Sequence, residues 1–291
     1  MVGDNDPVLH GDSRSAPPWR RSAPGAVTAR VTLPSVVLEV VRFRALIKNL
    51  VFKDLKLKYR DSVLGVVWSL LNPLLMLLVY TLAFKFILRV PMENYPFFLL
   101  AGLLPWNFFA SSLTASTQAI VRDAGLIRKV YFPREVLPIA TVLFTFSQLL
   151  LALAVFVPAL LWVSGGRLNW PAVLVVPVLL LHLLFTLGIG FILALGTVFF
   201  RDVGHLTEVA VILLFWLTPI IYPVTMAPAQ LQIFFTLSPL AAFATMYQDV
   251  LFWGRLPESL VAATVLGWTA AALLGGHVLF RRFSGNLAEE V

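Results

Sequence analysis

Few side chains in this chain are of the kinds that do chemistry, and they are thinly spread. Asp202, His205 and Glu208 form the one compact set of carboxylates with an imidazole, the equipment for proton transfer at one membrane interface. Their setting, FRDVGH (Phe200 to His205) running on to Glu208, is also that of a tight polar turn between two helices, and the turn is the simpler reading. His182 stands alone inside a long apolar run. Without a neighbouring carboxylate it is expected to be hydrogen-bonded packing and not a proton relay. With no Cys, the chain offers neither a disulfide nor a thiolate metal site. It also lacks a Gly-rich phosphate loop of the G-x-x-x-x-G-K-[ST] kind and so does not bind ATP in the P-loop manner. We therefore expect no catalytic residue, no metal site and no cofactor bound by this chain.

The elements that hold these residues belong in a bilayer. Of 291 residues, 59% are hydrophobic and 13% charged, and the mean hydropathy is +0.87, which excludes a soluble domain. The net charge of +7 does not point to nucleic acid. Its Lys and Arg residues sit at the edges of apolar runs, where they act as orientation signals.

Residues 1–35 are rich in Pro, Ser, Gly and Arg without periodic apolar positions, the composition of a flexible tail. No secretory signal is expected, because no clean apolar core follows Arg20 and Arg21. From Val36 to Arg60 the pattern turns helical and two-faced. Val36, Val40, Phe43, Ile47 and Leu50 share one side, while Arg42, Asn49, Lys53, Lys56 and Arg60 share another. Such a helix lies in the headgroup plane with its basic side towards anionic lipid or an acidic partner.

Crossings are expected at Val63 to Phe84, Phe97 to Val121, Val136 to Gly166, Leu168 to Phe200 and Ser259 to Phe280. Asn72-Pro73 should loosen the first of them. Ser111, Ser112, Thr114, Ser116 and Thr117 on the second suit either ordinary helix packing or a polar channel wall. The loop Arg122 to Glu135 is strongly charged, yet Leu126, Ile127, Val130 and Tyr131 repeat at helical spacing between Gly125 and Pro133. A mere reversal of the chain needs no such residues. They predict a small helix that docks into something on the cytoplasmic side.

Val209 to Gln248 has no charge and is broken by Pro219, Pro223, Pro228 and Pro239. It exceeds the roughly 20 residues of a straight crossing. We read it as one membrane helix followed by two short half-inserted segments. Irregular backbone at that depth survives only where protein or a water-filled path satisfies its polar groups. With the N-terminus inside and six crossings, only Lys85, Arg89, Arg167 and Arg255 among the 22 Lys and Arg fall at or beyond the far side. Making two full crossings of the broken stretch would move Arg281 and Arg282 outside, against the positive-inside rule.

YRDSVLGVVWSLLNPLLMLLVYTLAF (Tyr59 to Phe84), LPWNFFASSL (Leu104 to Leu113), FPREVLP (Phe132 to Pro138), FFRDVGH (Phe199 to His205) and FWLTPIIYP (Phe215 to Pro223), in that order, resemble the membrane subunit of type 2 ATP-binding-cassette exporters. Among them, the permeases for lipid-linked polysaccharide, O-antigen or teichoic acid are the group most alike. The resemblance spans residues 36–283, taken as one all-α membrane domain between the tails 1–35 and 284–291. It implies a homodimer of six-helix subunits in the bacterial plasma membrane with both termini cytoplasmic. It implies an interface helix (Val36 to Tyr59, with Arg42, Lys53, Lys56 and Arg60), re-entrant segments at about 224–247, and a coupling helix. The last would run from Asp123 to Tyr131 and engage a separate ATPase through Asp123, Leu126, Ile127, Arg128, Lys129 and Tyr131. ATP and Mg would be bound by that partner.

The crossings contain none of the charge pairs that an ion-coupled carrier uses, so energy is expected to arrive mechanically from the partner. The cargo would be an undecaprenyl-type lipid-linked glycan passing between two copies of the chain. Aromatic rings can contact the apolar faces of sugars, and Trp106, Phe108, Phe109, Trp216, Tyr222 and Tyr247 are the candidates for that path. Because the same architecture serves drugs and small lipids, an exporter of those is the alternative.

Overall fold

The computed structural model describes residues 41–60, 67–87, 89, 92–129, 132–163 and 169–284. Both expected tails apart from Ser284, together with Val36, Val40, Val130 and Tyr131, lie outside them, and so do residues 63–66 of the first expected crossing. Among the described residues every regular element is helical. Helix α1 is Arg44–Tyr59, α2 is Val67–Thr81, and α3 is Tyr95–Thr117. Short helices α4 (Ala119–Arg122) and α5 (Ala124–Lys129) precede α6 (Val136–Val163), α7 (Val175–Phe199) and α8 (Val203–Leu217). Next come α9 (Ala229–Leu237), α10 (Pro239–Tyr247) and α11 (Ser259–Ser284).

Four of these helical stretches are long and apolar enough to cross a membrane: Tyr95–Thr117, Val136–Trp162, Trp170–Phe199 and Ser259–Ser284. The α9 and α10 pair adds a fifth if taken as one span. Helices α2 and α8 are apolar but have 15 residues each, about 22 Å against a core of about 30 Å. A π-helical turn, Leu82–Ile87, prolongs α2.

Proline sets several of the boundaries. Thr218 is extended because it precedes Pro219, and that ends α8. Pro239 takes the first turn of α10, where a missing amide proton costs nothing, but it cannot continue α9. The chain therefore bends by 94° between α9 and α10. Pro96 sits likewise in the first turn of α3, after Asn94 in the left-handed region at φ 53°.

Helix α3 is the centre of the molecule, with α2, α6, α7, α8 and α10 around it. On its outer side α7 packs against α11 at Gly188 and Gly276. A Cβ on Gly188 would overlap the backbone of Ala272, and one on Gly276 would overlap the carbonyl of Gly188. Apolar side chains gain little from leaving lipid for protein, so small residues that admit close backbone contact hold such helices together. Helix α1 lies along α6, with Ile47 and Leu50 buried and Phe43 half-buried against the core, as their spacing predicts.

Candidate functional site

Two arrangements can carry function, a charge cluster at one end of the bundle and the broken backbone after α8. The cluster joins α1 to the turn before α5. Lys53 Nζ lies 2.8 Å from Asp123 Oδ1 and 3.8 Å from Asp54 Oδ1. Arg122 Nη2 donates to Asp54 Oδ2 at 2.9 Å and approaches Asp123 Oδ2 at 3.3 Å. The two carboxylates are largely shielded, at 7% and 13% side-chain exposure. Each meets cations from two elements, and buried carboxylates need such partners. The carbonyl of Asp123 also accepts the amides of Leu126 and Ile127 at 2.9 and 3.2 Å and so starts α5.

Of the residues expected to couple to a partner, Asp123 is thus tied inward. Leu126 and Ile127 are half-buried against the core. Gly125 faces out, with nothing within 4 Å of where its Cβ would lie. Arg128 and Lys129 belong to α5 by their backbone, but their side chains lie outside the described residues. On α1, Lys53 joins the cluster and Lys56 is exposed, as are Arg42 and Arg60 just beyond its two ends. Sequence reasoning missed Asp54 and Arg122. Asp54 is the one acid in α1, set between Lys53 and Lys56; that isolation was the available signal.

Nearby, Arg281 Nε approaches Glu135 Oε1 at 3.5 Å, and Arg134 donates to the carbonyl of Ser284. These contacts fasten the end of α11 to the start of α6. Burial pushes the Glu135 carboxyl above its usual range, and a backbone hydrogen bond and Arg134 offset this only in part.

After α8 the chain is irregular yet buried: Thr218 is 3% exposed, Ile220 1% and Ile221 5%. Side chains satisfy its carbonyls. Gln248 Nε2 donates to Pro219 O and Ile220 O at 3.2 Å each, and the Tyr95 hydroxyl donates to Ile221 O at 2.9 Å. Protein therefore meets the hydrogen-bond demand of this non-helical backbone. Beyond it, Arg255 Nη2 and Nε hold the buried Asp249 Oδ1 at 2.7 and 2.8 Å.

The six aromatic candidates are not brought together on one open face. Trp106, Phe108, Phe109 and Tyr247 are buried in the core of the chain. Phe108, Phe109 and Tyr247 surround His182, whose ring stacks on Phe243 at 4.5 Å and meets Phe108 edge-on at 5.2 Å. The Tyr247 hydroxyl lies 3.4 Å from His182 Nδ1. Tyr222 is half-buried, and only Trp216 is exposed, at 57%. The hydroxyls of α3 divide between both readings. Ser112 pairs with Thr145 of α6 at 2.6 Å, whereas Ser111 opens into a groove beside α1.

His205 and Glu208 form an exposed pair at 3.9 Å on the first turns of α8, and Asp202 sits at that helix's N-cap position. Among the described residues no three His, Cys, Asp or Glu side chains converge as metal ligands.

A family model described as ABC-2 type transporter matches residues 45–252. The chain is 36% identical over 246 residues to the O-antigen export system permease protein RfbA of Myxococcus xanthus, covering 82% of this chain and 94% of that protein. It is also 36% identical to an RfbA of Klebsiella pneumoniae, covering 81% and 91%. A polysialic acid transport protein, KpsM of Escherichia coli, is 24% identical over 81% of this chain and 92% of its own length.

Proposed function

This chain belongs to the ABC-2 type transporter family, and from that membership we propose that it is the membrane subunit of a bacterial exporter of lipid-linked polysaccharide. The observation that carries the reading is the 36% identity to O-antigen export permeases over nearly their whole length. The cargo class is therefore an O-antigen or a similar envelope glycan on a polyprenyl carrier. A separate cytoplasmic ATPase drives it, binding ATP and Mg.

Two copies of the chain form the pathway in the inner membrane, with both termini cytoplasmic. Each crosses six times, through α2, α3, α6, α7, α8 and α11, while α9 and α10 enter and return on the outer side. The 94° bend and the positive-inside bias support this topology. The pathway runs where α2 and α8 meet the second copy. Tyr80 and Phe215, 5.7 Å apart, join these helices, and Trp216 lies exposed beside them. Sugars then slide past apolar and aromatic faces that demand no fixed pattern of hydroxyls.

The ATPase docks on the outer face of α5 around Gly125. Closure of the two ATPases moves α5, and the charge cluster makes α1 move with it, parting the permease copies. The test is export of glycan by the chain co-expressed with its ATPase in a bacterium lacking an O-antigen permease. Surface glycan should appear, and a Walker-lysine variant of the ATPase should abolish it. Drug resistance without surface glycan would instead select the small-molecule exporter.

A further inference from the structure

A polar groove opens between α1, α2, α3 and α6, and it is distinct from the α2–α8 face. Its upper chamber has a volume of about 290 Å³. This chamber joins a wider one that reaches the charge cluster, for both are lined by Lys58, Ser111, Thr145 and Gln148. Lys58 Nζ donates to Gln148 Oε1 and lies 5.9 Å from the Phe144 ring centre. Asn107 and Ser111 face them from α3, and Trp68 and Leu149 form the apolar wall. Asn107 stands ten residues before the end of α3 and Gln148 twelve after the start of α6. At 1.5 Å per residue these positions are about 15 and 18 Å from the charged end, near mid-depth of a core of about 30 Å.

An ammonium group, two amides and a hydroxyl at that depth make a polar surface inside an otherwise apolar layer, where such groups mark functional sites. The groove is too open at its side to be a sealed packing defect: Ser111 is exposed and Asn107 and Gln148 are half-exposed. Cation, amide N–H and hydroxyl donors beside a greasy wall match one ligand chemistry, an anionic phosphate whose hydrocarbon tail stays in the bilayer. We propose that this groove binds the phosphate or diphosphate of a lipid, with Lys58 as its cation and Asn107, Ser111 and Gln148 as donors. Two sources share that chemistry, the polyprenyl carrier of the glycan and a bulk phospholipid. The carrier is the source that follows if the export reading holds, and only that choice rests on it. The carrier's phosphate would then be held beside α1 while the glycan occupies the two-copy pathway.

The test uses the permease with its ATPase in phosphatidylcholine nanodiscs holding a small fraction of either undecaprenyl phosphate or phosphatidylglycerol. Retained lipid is read by native mass spectrometry. Lys58→Met should lower retained undecaprenyl phosphate about tenfold, the loss of one charge-assisted contact, while Lys58→Arg keeps it. Gln148→Leu should lower it as well and stands in if Lys58→Met does not assemble. A parallel fall for phosphatidylglycerol would uphold the headgroup site and make bulk lipid its occupant. Unchanged retention of both lipids in both variants overturns the proposal. A variant series that loses lipid as expected in a protein that exports no glycan would count against the export reading alone.

Discussion

Lys53 Nζ lies 2.8 Å from Asp123 Oδ1, a contact between residues 70 apart in sequence that joins α1 to the turn before α5. Lys53→Asp would set a third carboxylate beside Asp54 and Asp123, and Asp123→Lys would do the reverse. Lys53 is 39% exposed, so the pair is worth about 1 kcal/mol or less in stability. Reversal costs more than loss of the pair, because Asp54 and Asp123 are shielded, so each single variant should melt lower and export less glycan. The double exchange restores the attraction and should recover export. A double variant no better than the singles would show that this contact does not link the two helices.

Gly125 offers a probe of partner docking, since a Cβ placed there has no atom of the described residues within 4 Å. Gly125→Trp should leave membrane insertion intact and change stability by about 0.5 kcal/mol or less. It should also loosen the ATPase, seen as reduced co-purification and reduced export. Leu126→Asp and Ile127→Asp are blunter, because both side chains also pack on the core. Full co-purification and transport by Gly125→Trp would move the docking site elsewhere.

The irregular chain after α8 depends on Gln248, which serves two carbonyls with one amide nitrogen. Gln248→Leu keeps the bulk and removes the donor. The carbonyls at Pro219 and Ile220 would then lose that bond in a buried place, at a cost of about 1 to 3 kcal/mol. Thermal unfolding of the purified protein should show the loss, and Gln248→Met should resemble Gln248→Leu. A melting point equal to that of the parent in both variants would mean that water or backbone replaces the amide.

Much of this architecture was readable because proline and charge act locally. Pro219 and Pro239 end helices whatever surrounds them, and the helical spacing of Phe43, Ile47 and Leu50 found the buried side of α1. The aromatic path was not readable. In a bilayer, side chains facing lipid and side chains facing protein are both apolar, so periodicity cannot tell Trp106, at 7% exposure, from Trp216, at 57%. The pairing of Asp54 with Arg122 was hidden for another reason, since it joins elements 68 residues apart and no local pattern reports such a contact.

Glu135 gives a pH dependence with a defined sign. Its carboxyl is raised in the folded protein by burial, so the folded state holds this proton more tightly than the unfolded chain does. The associated stability is fully present below the ordinary value of 4.5 and fades as pH climbs through the raised value. Glu135→Gln removes the titration. Comparing melting curves of parent and variant from pH 4 upward should show the parent losing stability relative to the variant. Parallel curves would mean that Arg281, 3.5 Å away, keeps the carboxylate as stable as it is in water.

The number of crossings can be settled with single cysteines, because the chain has none of its own. Leu256 is the informative site: it is 53% exposed in the short segment between Trp253 and α11. If α9 and α10 turn back at their 94° bend, this segment lies outside and α11 carries Arg281 and Arg282 to the cytoplasm. If they make a full crossing, the segment lies inside and both arginines end outside, against the positive-inside bias. In the proposed orientation Thr225, before α9, is external in either case and serves as the labelling control, while Asp202 serves as the internal one. In intact cells an impermeant maleimide should label Leu256→Cys as fast as Thr225→Cys and leave Asp202→Cys unmodified. Labelling of Leu256→Cys only after the membrane is breached would replace the re-entrant pair with a seventh crossing.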